Sequence, residues 1–199
     1  MQKKKARRKA KRRFLCLIVV IGIAGGIIAL VNRYYPLHHL DLVNKYADEY
    51  SVEPALVCAV IHAESKFMTD AVSNKGASGL MQVVENTAYW LAPKAGMEDF
   101  NYSQIFDPEI NIRLGCYYLS MLEKQYGDRD VALCAYNVGS GNVDQWLKNP
   151  EYSNDGKTFV HVPFRETRDY VKRVTDNRRV YAVILMFVNL EPTISRFFS

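Results

Sequence analysis

Residues Phe14 to Val31 form a run of 18 residues without a single charge, broken only by Cys16 and glycines. As a helix rising ~1.5 Å per residue this run spans ~27 Å, close to the ~30 Å hydrocarbon core of a bilayer. No other stretch of the chain is so restricted in what it can become. A cleaved signal peptide is the competing reading. The run is longer than a usual signal core, no clear A-x-A site follows it, and Arg33, Tyr34 and Tyr35 suit an interfacial belt. An uncleaved anchor is therefore expected.

Charge falls unevenly on either side of this run. Residues 1–13 hold nine Lys or Arg and no acid. Removing them from the chain's 26 basic residues leaves 17 against 21 acidic ones, a net of −4, although the whole chain carries +5. Basic tails stay on the cytoplasmic side, so the region from about residue 33 onward is expected outside. The basicity belongs to the tail and not to the folded part, which argues against a nucleic-acid-binding domain. The expected organisation is a basic cytoplasmic tail (1–13), a transmembrane anchor (14–31), a linker (32–39) and one domain (40–199).

That domain reads as mainly α. Leu40, Val43, Tyr46 and Ala47 share one face of a helix over Leu40–Tyr50. Ser51 is a candidate cap for the next helix, with Pro54 in its first turn. Val57, Val60, Ile61 and Glu64 follow on that helix. A short helix is expected over Val83–Leu91. Asp107-Pro108 opens a longer one with the stripe Ile112, Cys116, Leu119 and Leu122, which Gly127 ends. Asp128 or Asp130 starts a short apolar helix to Val138. Gly139 and Gly141 break it before a turn of helix at Val143–Leu147. A loop covers 149–163, with a small β piece conceivable at Lys157–Val162. The last helix is expected from about Glu166 to Val188, its apolar end buried. Cys58, Cys116 and Cys134 sit among apolar neighbours and are expected as buried thiols, with one disulfide left open. His38 and His39 fall in the linker and lack further ligands at metal-site spacing.

Glu64 carries the chemistry. A carboxylate on an apolar helix face is rare unless paired or functional. Desolvation would raise its pKa and keep it protonated near neutral pH, as a general acid requires. Alone it could equally be an ion-paired or solvent-facing residue. Its companions are Glu64-Ser65, then Gly79-Leu80-Met81-Gln82, then Ala135-Tyr136-Asn137 before Gly139-x-Gly141, and finally Pro163-Phe164-x-Glu166-Thr167-Arg168-x-Tyr170-Val171. With Phe106-Asp107-Pro108-x-x-Asn111-Ile112-x-x-Gly115 between them, these motifs resemble the catalytic domain of the soluble-lytic-transglycosylase family, a branch of the goose-type lysozyme superfamily. The resemblance covers roughly residues 40–180. Val84 and Ser140 stand where the family often has proline.

The resemblance implies a lysozyme-like helical domain that cleaves peptidoglycan between N-acetylmuramic acid and N-acetylglucosamine. It implies Glu64 as the sole acid and base, Ser65 hydrogen-bonded beside it in the cleft, and Met81 and Gln82 lining the sugar groove. Tyr136 and Asn137 would shape the floor and hold the N-acetyl sugar, and Tyr170 would orient the carboxylate. Met81 and Tyr170 also fit as core packing, and Gln82 and Asn137 as turn or cap residues. No metal or cofactor is implied. The expected partners are glycan strands and, through the N-terminal helix, the membrane, with no nucleic acid. A hydrolase of the same fold and a non-catalytic glycan-binding scaffold are the alternatives. The sequence does not identify protein partners.

Overall fold

The computed structural model describes the backbone from Gln2 to Phe197 and the side chains of residues 13–188 except Ala24. It divides into two compact units, Met1–Leu37 and His38–Ser199. The first is one continuous helix, α1 (Gln2–Tyr34), so the basic tail and the apolar run share a single helix with no break between them. Within it Arg13–Tyr34 is long and apolar enough to cross a membrane, and none of its described side chains is buried. The charged side chains of residues 3–12 lie outside the described residues.

The second unit is helical, with isolated bridges but no strand among the described residues. In order it contains α2 (Leu40–Tyr50), α3 (Pro54–Ser65), α4 (Glu85–Leu91), α5 (Pro108–Tyr126), α6 (Arg129–Val138), α7 (Ser140–Leu147) and α8 (Arg165–Phe197). Helix α3 is the core element. Every side chain from Ala55 to Ile61 is buried, as expected of a helix apolar on all faces. It packs chiefly on α8, with α2 on another side, while α5 and α6 build the adjoining layer. Glu53, just before α3, accepts hydrogen bonds from Arg178 of α8 at 2.8 Å and from Arg129 of α6 at 3.1 Å. These ion pairs tie the N-terminal ends of α3 and α6 to the middle of α8.

Several boundaries follow local chemistry. Asp107 caps α5 by accepting from the Glu109 and Ile110 N–H groups, with Pro108 in the first turn. Asp128, not Asp130, caps α6 through the Val131 N–H at 2.9 Å. The stripe Ile112, Cys116, Leu119 and Leu122 is buried, as the periodicity required. Cys58, Cys116 and Cys134 are buried free thiols.

Other expectations are corrected. Ser51 does not cap α3; it ends α2 in the left-handed conformation, its N–H bonded to the Ala47 and Asp48 carbonyls. His39 directly precedes α2 in the left-handed conformation, with φ 60° and no side-chain cap hydrogen bond. Gly141 lies inside α7. Lys157–Val162 forms no strand, since the Asp155 carboxylate captures the Lys157 and Thr158 N–H groups at 2.8 Å and turns the chain. Helix α8 continues past Val188 to Phe197. Only one side of its apolar end is buried: Tyr181 and Leu185 face the core, while Val183, Met186 and Phe187 are exposed.

Candidate active site

The site is built where α3 stops. Glu64 occupies the last turn, and Lys66 and Phe67 then adopt φ of 52° and 65°. Two successive left-handed residues without glycine are costly, on the order of 1–3 kcal/mol each. They turn the chain abruptly away and leave the Glu64 carboxyl at the helix end. The loop that returns across α3 is held by Asn111 of α5, which is wholly buried. Its Nδ2 donates to the Ser78 and Ile105 carbonyls at 3.0 and 2.9 Å, and its Oδ1 accepts from the Met81 N–H at 2.7 Å. One side chain thus satisfies three backbone groups that the irregular loop would otherwise strand. Asn111 stood in the sequence motif without a role, and its burial in α5 opposite a glycine turn was its only signal.

Ser65 does not enter the cleft. Its buried hydroxyl donates to the Leu80 carbonyl at 2.8 Å, pinning the loop to α3, and also approaches the Ile61 carbonyl at 3.1 Å. Met81, expected on the groove wall, is likewise fully buried. Its side chain fills the space left by Gly115, where even a Cβ would collide with the Met81 side chain. Its carbonyl accepts the Tyr136 hydroxyl at 2.8 Å.

A cleft of about 550 Å³ opens in front of Glu64. Gln82, Tyr136 and Asn137 line it together with Thr87, Tyr118 and Glu166. Gln82 is held at φ 50°, and both Nε2 hydrogens are engaged by the Ala71 and Gly79 carbonyls at 3.0 and 2.9 Å. Its Oε1 is left as the acceptor. Asn137 Oδ1 accepts from the Thr167 hydroxyl at 3.0 Å, which leaves Nδ2 as the donor. These orientations follow from the hydrogen-bond network. The Tyr118 and Tyr136 rings lie 5.3 Å apart and form an aromatic wall.

Burial lifts the Glu64 pKa from 4.5 to about 7, opposed by the Tyr170 hydroxyl and by the charge of Arg173. Tyr170 is itself buried and makes no well-formed hydrogen bond, although it is close enough to act on the carboxyl. Burial and then the Glu64 charge push the pKa values of Tyr136 and Tyr170 well above the ordinary tyrosine value. Both phenols therefore remain neutral donors. The first carboxylates after Glu64 in sequence, Asp70 and Glu85, do not line the cleft. The second carboxylate there is Glu166, which α8 brings in from a hundred residues away. Distance along the chain hid it, even though it lies in the motif that ends at Tyr170-Val171.

Residues 41–159 match the family model of the transglycosylase SLT domain. The chain is 35% identical over 161 residues to the soluble lytic murein transglycosylase of Salmonella typhimurium, covering 79% of this chain and 25% of that protein. It is 40% identical over 117 residues to the membrane-bound lytic murein transglycosylase C of Yersinia pestis, covering 53% of this chain and 32% of that one. Among solved structures it resembles an inactive mutant of the lytic transglycosylase Slt from Pseudomonas aeruginosa, with a TM-score of 0.69 and 34% identity over 78% of this chain and 25% of that one. The 70 kDa soluble lytic transglycosylase of Escherichia coli gives a TM-score of 0.69 at 30% identity, over 82% of this chain and 27% of that one. The chain thus spans about a quarter of the length of the soluble enzymes it matches. With the fold, the ordered motifs and the family model in agreement, the chain belongs to the SLT transglycosylase family.

Proposed function

We propose that this protein is a membrane-anchored lytic transglycosylase that cleaves the β-1,4 bond between N-acetylmuramic acid and N-acetylglucosamine in peptidoglycan. The observation that carries this reading is the buried Glu64 carboxyl, with a pKa of about 7, set in a sugar-sized cleft. Such a group holds its proton at neutral pH and can give it up and take one back within a single turnover.

The cleft's amides suit an acetamido group. Gln82 Oε1 can accept its N–H and Asn137 Nδ2 can donate to its carbonyl, while Tyr118 and Tyr136 offer ring faces to a pyranose. Protonated Glu64 transfers its proton to the glycosidic oxygen, and the C1–O bond breaks. The muramyl 2-acetamido carbonyl oxygen supports the electron-poor anomeric carbon. The C6 hydroxyl of the same sugar then attacks C1 and passes its proton to the Glu64 carboxylate, which restores the acid. The product is a 1,6-anhydro sugar, and no water is consumed. Attack from within the sugar carries a high effective molarity, on the order of 10⁵ M or more for well-oriented groups. Tyr170 orients the carboxyl.

The helix Arg13–Tyr34 supports anchoring, as does similarity to a membrane-bound relative. The basic tail is assigned to the cytoplasm and the domain to the outer face, where peptidoglycan lies.

Glu166 favours a second reading. Two carboxylates in one cleft suffice for hydrolysis by a base-activated water. Mass spectrometry of products from full-length protein and purified peptidoglycan separates the two readings. Ends bearing 1,6-anhydro-N-acetylmuramic acid are expected. Reducing ends, ~18 Da heavier by one added water, would instead establish a hydrolase with Glu166 as the candidate base. A non-catalytic scaffold would release neither.

A further inference from the structure

The aromatic wall of the cleft continues beyond the cleft itself. Tyr136 and Tyr118 line the cleft with their rings 5.3 Å apart. The Tyr118 ring in turn meets Trp90 of α4 at right angles, with centroids 6.5 Å apart. Trp90 lies outside the cleft proper, one turn beyond Thr87, which is part of its lining. Residues at this spacing share a helix face. The lining therefore runs out along α4 from Thr87 to Trp90 as an open step.

A single exposed aromatic side chain is ordinary and would carry nothing alone. Trp90 differs in what surrounds it. The other tryptophan, Trp146, is buried against Phe159 and Phe164, whereas Trp90 is 48% exposed at the end of a ring series that starts in the cleft. Ala88 and Leu91 are buried, which seats α4 and fixes where the indole stands. Just past the helix, exposed Lys94 holds its Nζ 3.5 Å from the centroid of the Trp90 ring. A cation–π contact at the surface is weak, so the ammonium can yield the ring face to an incoming group and donate to that group's oxygens instead. An indole face is broad, rigid and apolar, and it suits the C–H face of a pyranose.

We infer that Trp90, with Lys94 beside it, forms a further sugar-binding subsite outside the catalytic cleft, where an N-acetylated pyranose of the same glycan strand stacks on the indole. This rests on the reading of the cleft as a glycan site. The subsite adds affinity only for strands long enough to pass from Glu64 out over α4. Trp90 is then a specificity-determining residue for strand length: long strands are held by cleft and step together, short ends by the cleft alone. It touches no reacting bond, so its contribution falls on KM and not on kcat.

The test is calorimetric titration of the full chain in lipid nanodiscs, carrying Glu64→Gln so that no bond is cut. The probes are the trimer and the hexamer of β-1,4-linked N-acetylglucosamine; the cleft can hold the first, and the second extends past it. The hexamer is expected to bind about tenfold more tightly than the trimer. Adding Trp90→Ala is expected to cancel that advantage and leave trimer binding unchanged, which also shows that the fold is intact. Trp90→Phe is expected to keep part of the advantage, and hexamer binding should shift the tryptophan emission of the Trp90 protein but not of Trp90→Phe. Equal affinities for the two oligomers with Trp90 in place, or the same length advantage in Trp90→Ala, would overturn the subsite. An equal loss for both oligomers in Trp90→Ala would also overturn it, making Trp90 a prop for Tyr118 in the cleft wall. If neither oligomer binds with Trp90 in place, the reading of the cleft as an N-acetyl-sugar site fails and the subsite falls with it.

Discussion

The Tyr170 hydroxyl, buried in α8, acts on the Glu64 carboxyl at the end of α3 without completing a well-formed hydrogen bond. Burial drives the carboxyl pKa up, and this phenol is the largest influence opposing it. The pair therefore balances desolvation against donation. That balance sets the pH at which the acid works.

With Glu64 at about 7, the acid form is fully present below that pH and is lost above it. Muropeptide release is expected to fall as pH rises through the neutral range, by about tenfold for each unit beyond the pKa. A rate profile on purified peptidoglycan checks this; a rate that climbs from neutral to alkaline pH would exclude Glu64 as the acid.

Tyr170→Phe removes the donor that lowers the Glu64 pKa. The alkaline limb of the profile is expected to move to higher pH, while the rate at its plateau drops because the carboxyl is less well oriented. A plain packing role for Tyr170 would leave the limb where it is.

Glu64→Gln is expected to abolish turnover, with a loss of at least about a hundredfold, and to stabilise the fold in alkali. Folding raises the carboxyl pKa from 4.5 to about 7, so between those values the folded state binds more protons than the unfolded one. Parent stability attributable to this group therefore declines as pH rises across that window, and above it the buried charge costs up to ~3 kcal/mol. Thermal melts should show the variant gaining on the parent from acid to pH 8. Equal differences at both pH values would contradict the assigned shift.

Gly79→Ala tests the loop. Gly79 sits at φ +78°, and an added Cβ would collide with the Asn111 side chain and stand 2.8 Å from the Ile105 carbonyl. Both strain and collision apply, so a loss of about 2–4 kcal/mol is expected. Asn111→Ala should cost a similar amount, because it strands buried backbone groups. Denaturant melts measure both, and a neutral effect in either would mean that the loop is held some other way.

Local chemistry made much of this protein legible in its sequence. The apolar run fixed α1, Asp-Pro and Gly fixed the ends of α5, and the stripe from Ile112 to Leu122 named its buried side. These features depend on neighbours within a few residues, where propensity and periodicity act. The ordered motifs likewise brought Glu64, Gln82, Tyr136, Asn137 and Tyr170 into view as one set. What the residues of a motif do individually was a tertiary matter. Ser65 and Met81 sit beside cleft residues in sequence yet point into the core, where Leu80 and Gly115 receive them. Glu166 faces the cleft although the chain must travel a hundred residues to bring it there. The apolar end of α8 looked like core by composition, but α3 covers only one side of a helix, and which side stays bare depends on what packs against it. Composition and spacing specify which residues want burial or can do chemistry, and only packing decides which of them get it.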